Sequence, residues 1–254
     1  SEKRLFIVQL YFFDDFESGD LTHTENGVSW AGSNAGAGDD LRVSELNARA
    51  GRYALEFTFG GGPDGDDAWS EQRWNFGNRY PEMWLRWDTF VPANFTHRSQ
   101  DNIGSPANNS ILFLWGGVPD GAMWAAAIQA WPTAGDSSLT FSNSRPVQGL
   151  LSDPVRPDAR LFAAADRGTW FTITVHMRLA TVANNDGEIQ LWKRRASTGT
   201  DELLFARTGL AIYNANGNFM EFGYVLGWSN SGFLETTIFY VDNFTLSTTP
   251  LELR

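Results

Sequence analysis

Cysteine is absent from the 254 residues. That excludes a disulfide framework, a thiolate zinc site and a cysteine nucleophile. It assigns no compartment. Histidine is scarce: His23, His97 and His176 stand far apart, and no HExxH-type pair exists, which argues against a zinc enzyme. Positive charge is short as well. Nineteen Lys and Arg face 30 Asp and Glu, giving a formal net charge of −11 and a pI near 4.7. Such a surface repels nucleic acid and anionic membrane, so neither a nucleic-acid partner nor membrane insertion is expected. It also repels polyanionic glycans at long range, so an acidic polysaccharide fits only where arginine and lysine gather locally. Long apolar runs are missing. LFIVQLYFF (5–13) is too short to span a bilayer and lacks a small-residue cleavage site. It reads as a first strand, with a processed leader as the alternative.

Helical periodicity is the next scarcity. Few windows place apolar residues at i, i+3, i+4 and i+7, while Gly, Asn, Asp, Ser and Pro clusters recur. Two-residue alternation is abundant instead. In EMWLRWDTFV (82–91), Met83, Leu85, Trp87 and Val91 share one face, and Trp84, Arg86, Asp88 and Phe90 share the other. WFTITVHMRL (170–179) sets Phe171, Ile173, Val175, Met177 and Leu179 against Thr172, Thr174, His176 and Arg178. ILFLW (111–115) is apolar on both faces, as a central strand should be. YALEFTF (53–59), EIQLWKR (188–194), FMEFGYVLGW (219–228) and TIFYVDNFTL (237–246) add to these. At least ten antiparallel strands predict an all-β, two-sheet sandwich of the jelly-roll type, in one domain over 1–254. The polar stretches 98–110 and 132–168 are expected to rim a groove.

Aromatic residues are plentiful: 11 Trp and 19 Phe exceed what a core requires and could form a sugar-stacking surface. WSEQRW (69–74) raises the question directly. Strand parity puts Trp69, Glu71, Arg73 and Asn75 on one face, and Ser70, Gln72, Trp74 and Phe76 on the other, more apolar one. The second set should face the core. The first is then either a binding surface or an ordinary salt-bridged strand face.

DDFESGD (14–20), NARAGRYALEF (47–57) and FYVDNFTL (239–246) together resemble concanavalin A-like jelly rolls. The resemblance implies a structural calcium at one sheet edge, held by Glu17, Asp242 and carbonyls of the 47–51 turn. Oxygen ligands suit such a hard cation. The alternative is that both carboxylates simply bond backbone. A broader pattern covers 69–246: SEQRWNFG, EMWLRWDTFVPANFTHR, NNSILFLWGG, GTWFTITVHMRLATVANNDGEIQLWKR and FYVDNFTL. It is similar in arrangement to jelly-roll polysaccharide lyases of the alginate, glucuronan and heparin lyase type. The S-E-x-R element implies that Arg73 faces substrate. A Q-x-H strand of alginate lyases has its nearest match at Gln129-Ala130-Trp131, where tryptophan replaces the histidine base.

Such lyases remove the proton beside a uronate carboxylate, which requires neutralising that carboxylate, a base, and an acid for the leaving oxygen. Arg73 and Gln129 are the candidate neutralisers, His176 and Tyr224 the candidates for proton transfer. Glu71 is expected to orient Arg73. Arg86 and Lys193 could hold flanking carboxylates, and Trp84, Trp115 and Trp131 could stack sugars. Each has a bland alternative: a solvated His176, a core Tyr224, a cross-strand Glu71 pair. A glycosidase would show an E-x-D-x-x-E strand, and none occurs. The expected function is a β-eliminating lyase acting on an acidic polysaccharide, extracellular or on a cell or virion surface. A non-catalytic, lectin-like module and a structural jelly roll are the alternatives.

Overall fold

The protein is represented by a computed structural model that describes residues 9–63, 66–96, 108–115, 123–130, 137–143, 160–181, 184–210, 212, 219–229 and 232–254. Along 108–113, 115, 123–130 and 137–143 only backbone placement is described. Among the described residues no helix is long and apolar enough to cross a membrane.

The alternating segments form strands, and the strands form two antiparallel sheets. Sheet A runs β14 (Asp201–Leu210), β13 (Gly187–Arg195), β12 (Thr169–Arg178), β7 (Glu82–Val91), β16 (Thr237–Ser247), β5 (Ala54–Phe59), β4 (Asp40–Ser44), with β1 (Tyr11–Asp14) also on β16. Sheet B runs β11 (Arg160–Phe162), β10 (Ser137–Asn143), β9 (Met123–Ala130), β8 (Asn108–Trp115), β15 (Met220–Ser229), β6 (Ala68–Tyr80), β3 (Val28–Ala35), β2 (Thr24–Glu25). Neighbours far apart in sequence, such as β7 with β16 and β6 with β15, give the crossed connections of a jelly roll. The opening apolar run contributes only Tyr11–Asp14 to a strand; residues 1–8 lie outside the described residues.

The core lies between the sheets and is built by parity. Met83, Leu85, Trp87 and Val91 of β7 are buried, as are Phe171, Ile173, Val175 and Met177 of β12. From sheet B, Trp74 and Phe76 are fully buried. Trp74 meets Phe244 of sheet A at 5.0 Å between ring centroids, so the two inner faces interlock through aromatics. Replacing such a side chain with alanine costs roughly 3–5 kcal/mol.

One charged cluster sits inside this apolar layer. Lys193, 1% exposed, shares parity with Ile189 and Leu191 and points inward. Its Nζ donates to the Leu161 carbonyl at 2.5 Å and to Asp166 Oδ2 at 2.7 Å, and lies 4.3 Å from the Phe171 ring centroid. Arg195 also donates to Asp166, Nε to Oδ1 at 2.7 Å. Burial alone would raise the Asp166 pKa, but hydrogen bonds from Arg195 and Lys193 hold it at about 2. Burial depresses Lys193 to about 8, despite Asp166 beside it. Both groups are charged at neutral pH. The cluster ties β13 of sheet A to β11 of sheet B.

Candidate functional site

The outer face of sheet B is set by the β6 pattern. Ser70, Gln72, Trp74 and Phe76 are all fully buried on the core side, as parity requires. Trp69, Glu71, Arg73 and Asn75 therefore point outward. Arg73 donates from Nε to Glu71 Oε1 at 2.6 Å, and its Nη2 contacts the same oxygen. Asn34 of β3 adds Nδ2 to that oxygen at 3.3 Å. The carboxylate is 7% exposed and the guanidinium side chain 43%. Glu71 thus anchors Arg73 from beneath, and a cationic edge stays in solvent. Holding Arg73 to one geometry is what a planar, bidentate carboxylate clamp needs.

Tyr224 on β15 is the direct register partner of Arg73. Cross-strand partners on one face have Cβ atoms about 4.5–5.5 Å apart. A bulge then redirects β15 beyond Tyr224. Between Val225 and Ser229 the register against β8 shifts, with Leu226 at φ 54° and Gly227 at φ 135°. A left-handed leucine costs about 1–2 kcal/mol, strain of a kind that clusters at functional sites. A Cβ on residue 227 would run into the Tyr224 ring, so only glycine lets that ring lie along the backbone here. Tyr224 therefore leans toward the Trp228 end of β15. Arg73 leans the same way, toward Glu71. At that end Trp69 and Trp228 pair in register and stack, 5.6 Å apart and 10° from parallel.

Two further expected site residues lie on sheet B. Gln129 is on β9, two strands beyond β15, opposite Asn108 and near the level of Ser229. That places it toward the end to which Arg73 and Tyr224 lean. Trp115 is on β8, opposite Phe222. Trp131, next in the chain after β9, lies outside the described residues.

Four expectations are corrected by the sheet order. His176, Trp84 and Arg86 are on β12 and β7 of sheet A, whose outer face is the opposite side of the sandwich from Arg73. His176 Nε2 bonds Glu82 Oε1 at 2.8 Å and its ring stacks on Trp84 at 4.3 Å. Arg86 donates to Thr174 Oγ1 at 3.0 Å and to the Glu252 carbonyl at 2.7 Å. Burial lowers its pKa from the ordinary guanidinium value. Lys193 is the core cation of the Asp166 cluster. None of these four joins the Arg73 surface, because β7, β12 and β13 pair with one another.

Glu17 and Asp242 do meet one turn, and they hold it as acceptors. Glu17 Oε1 accepts from Arg52 and Tyr53 amides at 2.9 and 2.8 Å, and Oε2 accepts from Arg52 at 3.0 Å. Gly51, at φ 68°, lets the turn close on this carboxylate. Asp242 Oδ2 accepts from Arg49 and Ala50 at 2.8 and 3.2 Å, and Oδ1 from Asn243 at 2.7 Å. Burial raises the Asp242 pKa to about 6 against those amides, with nearby Asp88 adding to the rise. Among the described residues no three His, Cys, Asp or Glu side chains group as a metal site. Two oxygens, Glu17 Oε2 and Asp242 Oδ1, accept a single amide each. They are the acidic donors with most capacity left for a cation.

No protein-family model and no curated sequence matches the chain. Solved structures do. An endo-β-1,4-glucuronan lyase from the fungus Trichoderma reesei superposes with TM-score 0.63 at 16% identity, over 94% of this chain and 95% of that one. This chain shares the two-sheet jelly-roll fold of that structure. An alginate lyase from Aplysia kurodai superposes at TM-score 0.57 and 14% identity, over 83% and 89%. Winged bean acidic lectin, complexed with methyl-α-D-galactose, superposes at TM-score 0.51 and 8% identity, over 96% and 100%. At these identities the likeness is one of fold, and the jelly roll alone is compatible with cleavage or with binding.

Strand parity put Glu71 and Arg73 on one face, and Tyr224 was a candidate by residue type alone. Parity passed over Asn34, whose place beside Glu71 depends on β3 pairing with β6. It also passed over Trp228, although the glycine in VLGW, inside a strand pattern, was a signal for a bulge.

Proposed function

We propose that the outer face of sheet B binds a uronate-containing polysaccharide and cleaves it by β-elimination. The carrying observation is the register pairing of Arg73 with Tyr224, with Arg73 anchored by Glu71. In this reading Arg73 holds the uronate carboxylate and stabilises the charge that develops when the neighbouring proton leaves. Tyr224, as phenolate, takes that proton from C5. The electron pair forms the C4=C5 double bond, the C4–O bond breaks, and the departing oxygen is protonated by the tyrosine. The guanidinium directly across the strand pair attracts the substrate carboxylate and the charge that develops on it. Secretion or surface display is part of the same proposal, since such polymers lie outside cells.

The test is incubation with glucuronan, alginate and heparin-type glycans, following ultraviolet absorbance of the unsaturated product. Growth of that signal, abolished in Arg73→Ala and not restored by Arg73→Lys, supports the reading. A flat trace across the panel with measurable glycan binding transfers the site to the lectin-like reading, which the tryptophan in place of the Q-x-H histidine favours.

Calcium at the sheet edge is a separate proposal. Glu17 Oε2 and Asp242 Oδ1 would hold it, with turn carbonyls, and two shared carboxylate oxygens imply weak, millimolar-range affinity. A melting temperature raised by millimolar calcium and restored by chelator supports it; superimposable melts reject it.

A further inference from the structure

Trp228 is 45% exposed, whereas Trp30, Trp74, Trp84, Trp87 and Trp192 are each at or below 9%. Its position is built. The bulge at Leu226 and Gly227 aims it onto Trp69, and Trp69 is itself fixed. The Trp69 amide donates to Asp39 Oδ2 at 2.9 Å, and its carbonyl accepts from the Gly36 amide at 2.8 Å. Gly36 closes on the Trp69 ring so tightly that an added Cβ would lie 3.2 Å from Cδ2. One indole is thereby packed from behind, and the second lies flat on it with surface in solvent. An apolar ring face fixed in this way, 45% exposed, matches the apolar C–H face of a pyranose.

The charge on the same face selects among sugars. Arg73 lies four strand residues from Trp69, about 13 Å at the rise of a strand, which is more than one sugar ring. We propose that Trp228, backed by Trp69, is an aromatic platform seating one pyranose ring of a uronate oligosaccharide whose carboxylate is held at Arg73. The platform rests on the reading of this face as a glycan surface. It adds that the ligand is recognised as an oligomer, with a ring-stacking subsite at the end toward which Arg73 and Tyr224 lean.

The experiment measures affinity of the full chain for uronate disaccharides and hexasaccharides prepared from glucuronan and alginate. Calorimetry gives the affinities and indole fluorescence reports the stack. Trp228→Ala should weaken the hexasaccharide about tenfold and leave the disaccharide within about twofold, while Trp228→Phe keeps most of the affinity. Hexasaccharide binding unchanged in Trp228→Ala, with wild-type binding intact, overturns the platform and leaves the glycan surface standing. Equal loss for both ligand lengths also overturns it, since the effect is then not a distant subsite. A wild-type dimer that Trp228→Ala splits, with sugar affinity unchanged, reassigns the stack to self-association. No binding of either length by the wild type removes the platform and the glycan reading together.

Discussion

On the outer face of sheet B the Arg73 side chain is 43% exposed and Trp228 45%, whereas on the outer face of sheet A Trp84, His176 and Trp192 are each below 9%. Both faces carry tryptophan, arginine and glutamate. On sheet A the rings of His176 and Trp192 both stack on Trp84, and the segment after β16 crosses the face. Arg86 bonds the Glu252 carbonyl there, and Asp201 exchanges backbone and side-chain bonds with Arg254. On sheet B Arg73 and Trp228 keep surface in solvent while Glu71 and Tyr224 beside them are buried at 5% and 8%, and the backbone is strained at Leu226. Among the described residues the same types are packed under a cover on sheet A, while Arg73 and Trp228 on sheet B stay partly exposed. Composition cannot distinguish the two cases.

The largest contrast is expected in turnover. If the glycan reading holds, Tyr224→Phe lowers kcat by roughly 10²–10⁴ with little change in melting temperature, because one hydroxyl is lost and the ring stays over Gly227. His176→Gln should do the reverse. It leaves kcat alone and costs about 1 kcal/mol of stability through the lost Glu82 bond. A loss of turnover in His176→Gln at unchanged stability would break the comparison.

The next effect belongs to the core. Asp166→Asn leaves Lys193 buried with its carboxylate gone, which should cost about 3–5 kcal/mol in urea denaturation. A double variant, Asp166→Asn with Lys193→Met, should recover most of that loss, since the uncompensated charge leaves with its partner.

A further effect is in pH. Asp166 is held at about 2 against an ordinary value of 3.8, so its folded form is favoured when ionised. Its contribution, about 2 kcal/mol, is fully present above pH 4 and is lost as pH falls through 2. Denaturation midpoints measured from pH 5 to pH 2 should fall more steeply in wild type than in the double variant. Parallel slopes would remove Asp166 from the acid response.

Much of the fold was legible because strand parity is local. Met83, Leu85 and Trp87 face the core and Trp84 and Arg86 do not, for a reason contained in ten consecutive residues. The pairing of Glu71 with Arg73 was legible for the same reason, since both belong to one strand face. What parity lacks is the partner strand. Parity put His176, Trp84 and Arg86 on outward faces but does not say which side of the sandwich those faces form. Lys193 was a candidate for holding flanking carboxylates, and its buried partner Asp166 comes from a separate 3₁₀ turn, Ala164–Asp166, that no strand pattern links to it.

By itself the sequence determined an all-β sandwich, the inward and outward residues of each main strand, and the union of Glu71 with Arg73. These depend on the two-residue repeat and on side chains within one strand. Only the tertiary structure decided that Tyr224 stands opposite Arg73, that Trp228 lies on Trp69, and that His176 does not share their face. Those facts depend on which strands hydrogen-bond to which. That choice is set by the packing of a whole core, and no short stretch of chain contains it.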